Sequence, residues 1–156
     1  VINLAVSMAQ EGQKVLVIDA DLRRPAIQSA FKIKRAVGLT NVLAGEITLA
    51  EAVVSPTGIE NVWVLASGPV PFNYTELLTV ASLGKLIQTA QEQFDVVLLD
   101  APPVLEVTGT RILANQCDGV LLVLRRGKTR EEKAVEAKKV LEFSKANVLG
   151  VVLNRR

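Results

Sequence analysis

The sequence predicts an α/β fold in three layers, a mostly parallel sheet with helices on both faces. Three observations lead there. Apolar runs of strand length alternate with segments of helical period along the whole chain. Three of those runs are almost continuously apolar, as expected of strands covered on both faces. Each strand is separated from the next by a helical segment, which suits parallel crossovers. No repeat, linker or low-complexity stretch interrupts the pattern, so residues 1–156 read as one domain, expected to be a partial one.

The elements follow in order. Ile2, Ala5, Val6 and Ala9 share a helical face, and Gly12 is a natural stop, so a helix runs to about Glu11. The chain is expected to begin inside that helix, as a fragment would. Val15–Asp19 is a strand. Pro25 opens a short helix to about Phe31. The stretch GLTNVLAGEITLAEAV holds two short helices around Gly45. Residues 61–67, NVWVLAS, form a strand, and GPVPFNY a loop. Thr75 is placed to cap a helix reaching about Gln93. Residues 95–100, DVVLLD, form a strand, followed by the stiff loop of Pro102 and Pro103 and a helix to about Asn115. Residues 119–124 are a strand. Thr129 and Glu132 have capping-box spacing and open a helix to about Lys145. Residues 148–154, VLGVVLN, are the last strand.

Two strands end in carboxylates. VLVIDADLRRP places Asp19 at a strand terminus and Asp21 on the turn beyond it; FDVVLLDAPP places Asp100 likewise. Ligands of open parallel sheets bind beyond the carboxyl ends of the strands. Three carboxylates gathered there repel one another unless a cation neutralises them. Mg²⁺ suits the oxygen-only donor set. The plainer alternative is that each aspartate caps a helix or closes a turn. It weighs most for Asp21 alone and least for Asp19 and Asp100 together. Arg23 and Arg24 read as solvated surface or as a phosphate or partner contact.

Composition narrows the classes. The chain has 156 residues, 49% of them apolar, and a net charge of +2, which gives no electrostatic case for nucleic acid or anionic lipid. It has no histidine, the commonest general base and metal ligand. Its single cysteine, Cys117, cannot form an internal disulfide and reads as a small core residue in a reducing, intracellular setting. No apolar run approaches the ~20 residues that span a bilayer.

Taken together, these segments resemble the bacterial tyrosine kinases of capsule and exopolysaccharide synthesis, within the P-loop superfamily that includes MinD and ParA. VLVIDADLRRP resembles the Walker A′ motif and FDVVLLDAPPVL the Walker B motif. GPVPFNYTELL resembles the family loop G-x-x-P-x-N-P-x-E-L-L, and DGVLLVLRRGKT and VLGVVLN the last strands. The resemblance covers essentially the whole chain. It implies a P-loop fold, ATP and Mg²⁺ as cofactors, and tyrosine phosphorylation. It implies that Asp19 and Asp21 orient the metal and the attacking hydroxyl, that Asp100 holds a water of the metal shell, and that Asn154 contacts adenine. It also implies a cytoplasmic domain at the inner face of the plasma membrane. Such a domain is a homo-oligomer partnered by a transmembrane activator or an attached transmembrane region.

Three departures stand against the family pattern. The glycine-rich P-loop is absent, because INLA matches the helix that directly follows it, and the family's first strand in the middle of the sheet is absent with it. The chain as given is therefore expected to be inactive. Gly109 replaces a usual aspartate. Tyr74, the one tyrosine of the chain, replaces a proline, and the tyrosine-rich tail is not here. Two other readings remain: an ATP-driven dimerisation switch of MinD/ParA type, and a degenerate interaction module.

Overall fold

The structure is a computed structural model that describes residues 1–34, 36–56 and 58–155. Its contacts divide the chain into two compact units, Val1–Pro102 and Pro103–Arg156.

The first unit is built around β1 (Val15–Asp19), whose five residues are all buried. It pairs in parallel with β2 (Val62–Leu65) on one side and β3 (Val96–Asp100) on the other. Alternation sends Val15 and Val17 to one face. There they pack with Val62 and Val64 against Ala5 and Ala9 of α1 (Ile2–Gln10). Leu16 and Ile18 point to the opposite face and are equally buried. Leu39 of α3 (Leu39–Leu43), Leu49 of α4 (Leu49–Ala52) and Leu83 of α5 (Val80–Gln91) complete the core. Gly12, at φ 87°, takes the left-handed turn that ends α1 and admits β1.

The central strand therefore matches the expectation of cover on both faces, but β3 does not. It is half-buried along its whole length, because it lies at the edge of this sheet. The short α2 (Ile27–Ala30) follows β1.

Two glycines fix the connection after β2. A Cβ on Gly38 would run into the Ala66 carbonyl oxygen, and Gly68 takes φ 76° with the Gly38 nitrogen 2.8 Å from its own would-be Cβ. That closeness lets Leu39 N–H donate to Ala66 O at 2.7 Å and Thr40 N–H to Ser67 O at 3.0 Å. The loop leaving β2 is thus tied to the start of α3.

One helix start differs from expectation. Tyr74–Glu76 is a single 3₁₀ turn, and the cap of α5 is Thr79, not Thr75. Thr79 Oγ1 accepts from Ser82 N–H at 3.1 Å, while Ser82 Oγ accepts from Thr79 N–H at 3.2 Å, a reciprocal box.

The second unit pairs β4 (Val120–Arg125) with β5 (Val148–Asn154) in parallel, with an irregularity between Val120 and Leu121. Val120, Leu122 and Val148 pack with Ala114 of α6 (Gly109–Asn115) and Ala137 and Leu141 of α7 (Glu131–Phe143). Leu121 and Val123 are exposed, so β4 alternates instead of being covered on both sides. The expected capping box at Thr129 does not form. Arg130 is the N-cap of α7, and Thr129 Oγ1 instead accepts from Arg125 N–H at 3.0 Å. The strands thus form two sheets, one of three strands and one of two.

Candidate functional site

Asp19 and Asp100 stand opposite one another in register at the ends of β1 and β3. Neighbouring strands run about 4.8 Å apart, and partners in a parallel register point to the same face. The two carboxylates therefore share the carboxyl edge of the first unit's sheet, as the hhhhD runs predicted. Asp21 follows on the turn and acts electrostatically on both.

Their environments differ. Asp19 is fully buried. Its Oδ2 accepts from Ala26 N–H and Ile27 N–H, both at 3.0 Å, where α2 begins. Its Oδ1 has no hydrogen-bond partner among the described residues. Burial raises the Asp19 carboxyl from 3.8 to about 6; the Asp100 and Asp21 charges push the same way, and the two N–H donors oppose them. Asp100 is half-buried and is also raised, by burial first and by Asp21 in addition.

Asp21 plays the turn role that a lone aspartate suggests. Its Oδ1 accepts from Arg23 N–H at 3.2 Å and from Arg24 N–H at 3.1 Å. Both arginine side chains are exposed. The donors at Ala26 and Ile27 were not foreseen. They lie beyond a turn, and backbone groups leave no mark in the residue types.

A buried carboxylate oxygen without a partner costs folding free energy on the order of 1–3 kcal/mol, more when charged. It persists where something else satisfies it. Oxygen acceptors with raised proton affinity fit a hard divalent cation or an incoming hydroxyl. Among the described residues, no group of three or more His, Cys, Asp or Glu side chains is arranged to hold a metal directly. A cation here would thus draw most of its ligands from water and phosphate.

The remaining predicted residues lie on other elements. Asn154 ends β5 in the second unit, where its carbonyl accepts from Arg126 N–H at 2.8 Å. Gly109 is the first residue of α6. Tyr74 is half-buried at the start of the 3₁₀ turn. Cys117 is half-buried, its thiol pushed up by burial, which suits an inert packing residue.

Comparison with known proteins shows the family and the fold. A family model described as an AAA domain matches residues 1–135. The tyrosine-protein kinase YwqD of Bacillus subtilis is 43% identical over 152 residues, covering 97% of this chain and 64% of that protein. The chain belongs to the bacterial tyrosine-kinase family. The kinase domain of the Escherichia coli tyrosine kinase ETK superposes with a TM-score of 0.92 at 34% identity, over 97% of this chain and 59% of that one. The septum site-determining protein MinD of Pyrococcus horikoshii, solved with Mg-ADP, superposes at 0.78 with 25% identity, over 98% of this chain and 62% of its own. The fold of this tyrosine-kinase family member is thus that of the MinD-like P-loop NTPases. The chain spans 64% of the length of the first of these relatives. No helix among the described residues is long and apolar enough to cross a membrane.

Proposed function

We propose that this chain is part of an ATP-dependent protein-tyrosine autokinase domain that regulates capsular or exopolysaccharide synthesis and export. The observation that carries the reading is the Asp19–Asp100 pair: in register at the sheet edge, raised in proton affinity, with one buried oxygen left over. Kinship with proteins named as tyrosine kinases supports the choice of reaction.

Phosphoryl transfer asks the protein mainly for positioning and charge placement. Asp19 is held by two backbone donors on Oδ2, so Oδ1 has a fixed direction. In this reading Oδ1 accepts the hydrogen bond of the incoming phenol and orients it. Asp21, anchored by its own turn, keeps Oδ2 for the site. Asp100, in register with Asp19, would hold a water of the metal shell. Mg²⁺, bound with ATP, would neutralise the phosphate charge, and Asp19, Asp21 and Asp100 are the residues that would hold it. Asn154 is proposed to contact the adenine. The MinD complex with Mg-ADP supports the choice of nucleotide and ion. The domain is proposed to be cytoplasmic at the inner membrane face. There it would assemble with copies of itself and act with a transmembrane activator or an attached transmembrane region.

The reading is tested by incubating the full-length protein with Mg²⁺ and ATP and mapping phosphotyrosine by mass spectrometry. Phosphotyrosine that disappears in Asp100→Asn supports it. Hydrolysis of ATP with no phosphotyrosine would favour the second reading, a dimerisation switch, to which the likeness to MinD lends weight.

A further inference from the structure

The turn that leaves the carboxylate edge leads to a second, cationic feature of the first unit. Two residues beyond the end of α2, Lys32 takes a left-handed φ of 54°. Lys32 N–H donates to Ser29 O at 3.2 Å and Ile33 N–H to Gln28 O at 3.0 Å, closing a turn that reverses the chain. An open cavity of about 520 Å³ lies against this turn, lined among others by Pro25, Gln28, Lys32, Ile33, Lys34 and Ser67.

Three properties of the cavity stand out. Among the described residues, none that lines it is acidic. Lys32 and Lys34 are exposed, and neither is paired with an acid among the described residues. It also adjoins the carboxylate edge from both sides. Pro25 precedes Ala26, whose N–H holds Asp19, and Ser67 lies two residues beyond Leu65, the register partner of Ile18.

We propose that this cavity docks an acidic segment of the protein substrate beside its acceptor tyrosine, with Lys32 and Lys34 pairing its carboxylates. The proposal deepens the kinase reading and rests on it for the identity of the substrate. The carboxylates at the sheet edge repel an acidic ligand, and two unpaired cations next to them offset that repulsion. Lysine is a mobile point charge without fork geometry, which suits carboxylates on a flexible peptide better than a fixed phosphate cradle. The half-buried Ile33 and the exposed Pro25 offer apolar surface to the peptide's side chains. The volume falls within the roughly 300–1,000 Å³ of ordinary ligand sites.

The test uses the full-length protein and two labelled peptides, Glu-Glu-Tyr-Glu-Glu and Gln-Gln-Tyr-Gln-Gln, with binding read by fluorescence anisotropy. The acidic peptide should bind about tenfold tighter, and the advantage should vanish in the Lys32→Glu/Lys34→Glu double variant, since two exposed ion pairs are worth about that much. It should also shrink with added salt. In the transfer assay the double variant should raise KM for the acidic peptide about tenfold, leaving kcat and the KM for ATP unchanged. A Lys-Lys-Tyr-Lys-Lys peptide should regain affinity for the variant. Equal binding of the acidic and neutral peptides, or no effect of the double variant, overturns the docking site even where phosphotyrosine forms. Full displacement by millimolar inorganic phosphate would also overturn it, in favour of a simple anion site. Lysine-dependent binding without any phosphotyrosine would uphold the acidic-peptide site and reject the kinase reading instead.

Discussion

Replacing Asp19 by asparagine should make the protein more stable and less active. A carboxyl that titrates at about 6 in the fold and 3.8 otherwise is one the fold prefers protonated. The sign follows by linkage. Between those two pH values the native state holds a proton that the unfolded state has lost, so stability falls as pH rises through the interval. Above it, the charged group costs the native state roughly 3 kcal/mol relative to acid conditions. Between pH 5 and 7.5 the same shift predicts a loss of about 1.4 kcal/mol from this group. Asparagine keeps an acceptor for Ala26 N–H and Ile27 N–H and carries no charge, so it removes the penalty. Its amide nitrogen inherits the unpartnered position, which returns about 1 kcal/mol of the gain. A net increase of about 1–2 kcal/mol near pH 7.5 is therefore expected. Urea unfolding in EDTA without nucleotide measures it. Trp63, the one tryptophan, packs tilted against Phe94 with ring centroids 5.4 Å apart and reports on the unit that holds Asp19. A variant that is less stable than the parent at pH 7.5 but equal at pH 5, or a parent whose stability is flat from pH 4 to 6, would refute the assignment of a strained charge at Asp19.

Further expectations follow from the same geometry. Asp100→Asn should lower the phosphorylation rate at least a hundredfold with a change in stability within about 1 kcal/mol, read by initial rates and urea midpoints, because a half-buried edge carboxylate contributes more to the site than to the core. Thr79→Ala should cost about 1 kcal/mol through loss of the α5 cap, and Thr75→Ala within about 0.5 kcal/mol, a contrast that chemical denaturation resolves. Gly68→Ala should destabilise by more than about 2 kcal/mol, since at a left-handed φ the new Cβ would lie 2.8 Å from Gly38 N and from Thr40 Oγ1; thermal unfolding checks it.

Much of this was legible because the signals are local. β1 and β5 fall at Val15–Asp19 and Val148–Asn154, as an uninterrupted apolar run bounded by polar residues dictates. The pairing of Asp19 with Asp100 followed from two like runs ending at one level. Other features depended on neighbours that residue types do not reveal. β3 has the same apolar run as β1 yet is half-buried, since its place at the sheet edge is a matter of topology. Thr75 and Thr79 are equally good caps by type, and the reciprocal bond to Ser82 decides between them. Thr129 had the right spacing for a box, but its hydroxyl is taken by Arg125 N–H from the preceding strand. The cationic turn is not legible in the sequence, because Lys32 and Lys34 look like ordinary surface residues until the turn after α2 brings them to one cavity.

The central claim is that Asp19, Asp21 and Asp100 serve phosphoryl transfer to tyrosine. The most direct measurement follows the γ-phosphate of labelled ATP in a single turnover with the full-length protein, comparing the parent with Asp19→Asn and Asp100→Asn. The account predicts label on protein tyrosine in the parent and its loss in both variants, with folding intact. Label released only as inorganic phosphate, or phosphotyrosine formed at equal rates in all three proteins, would contradict it.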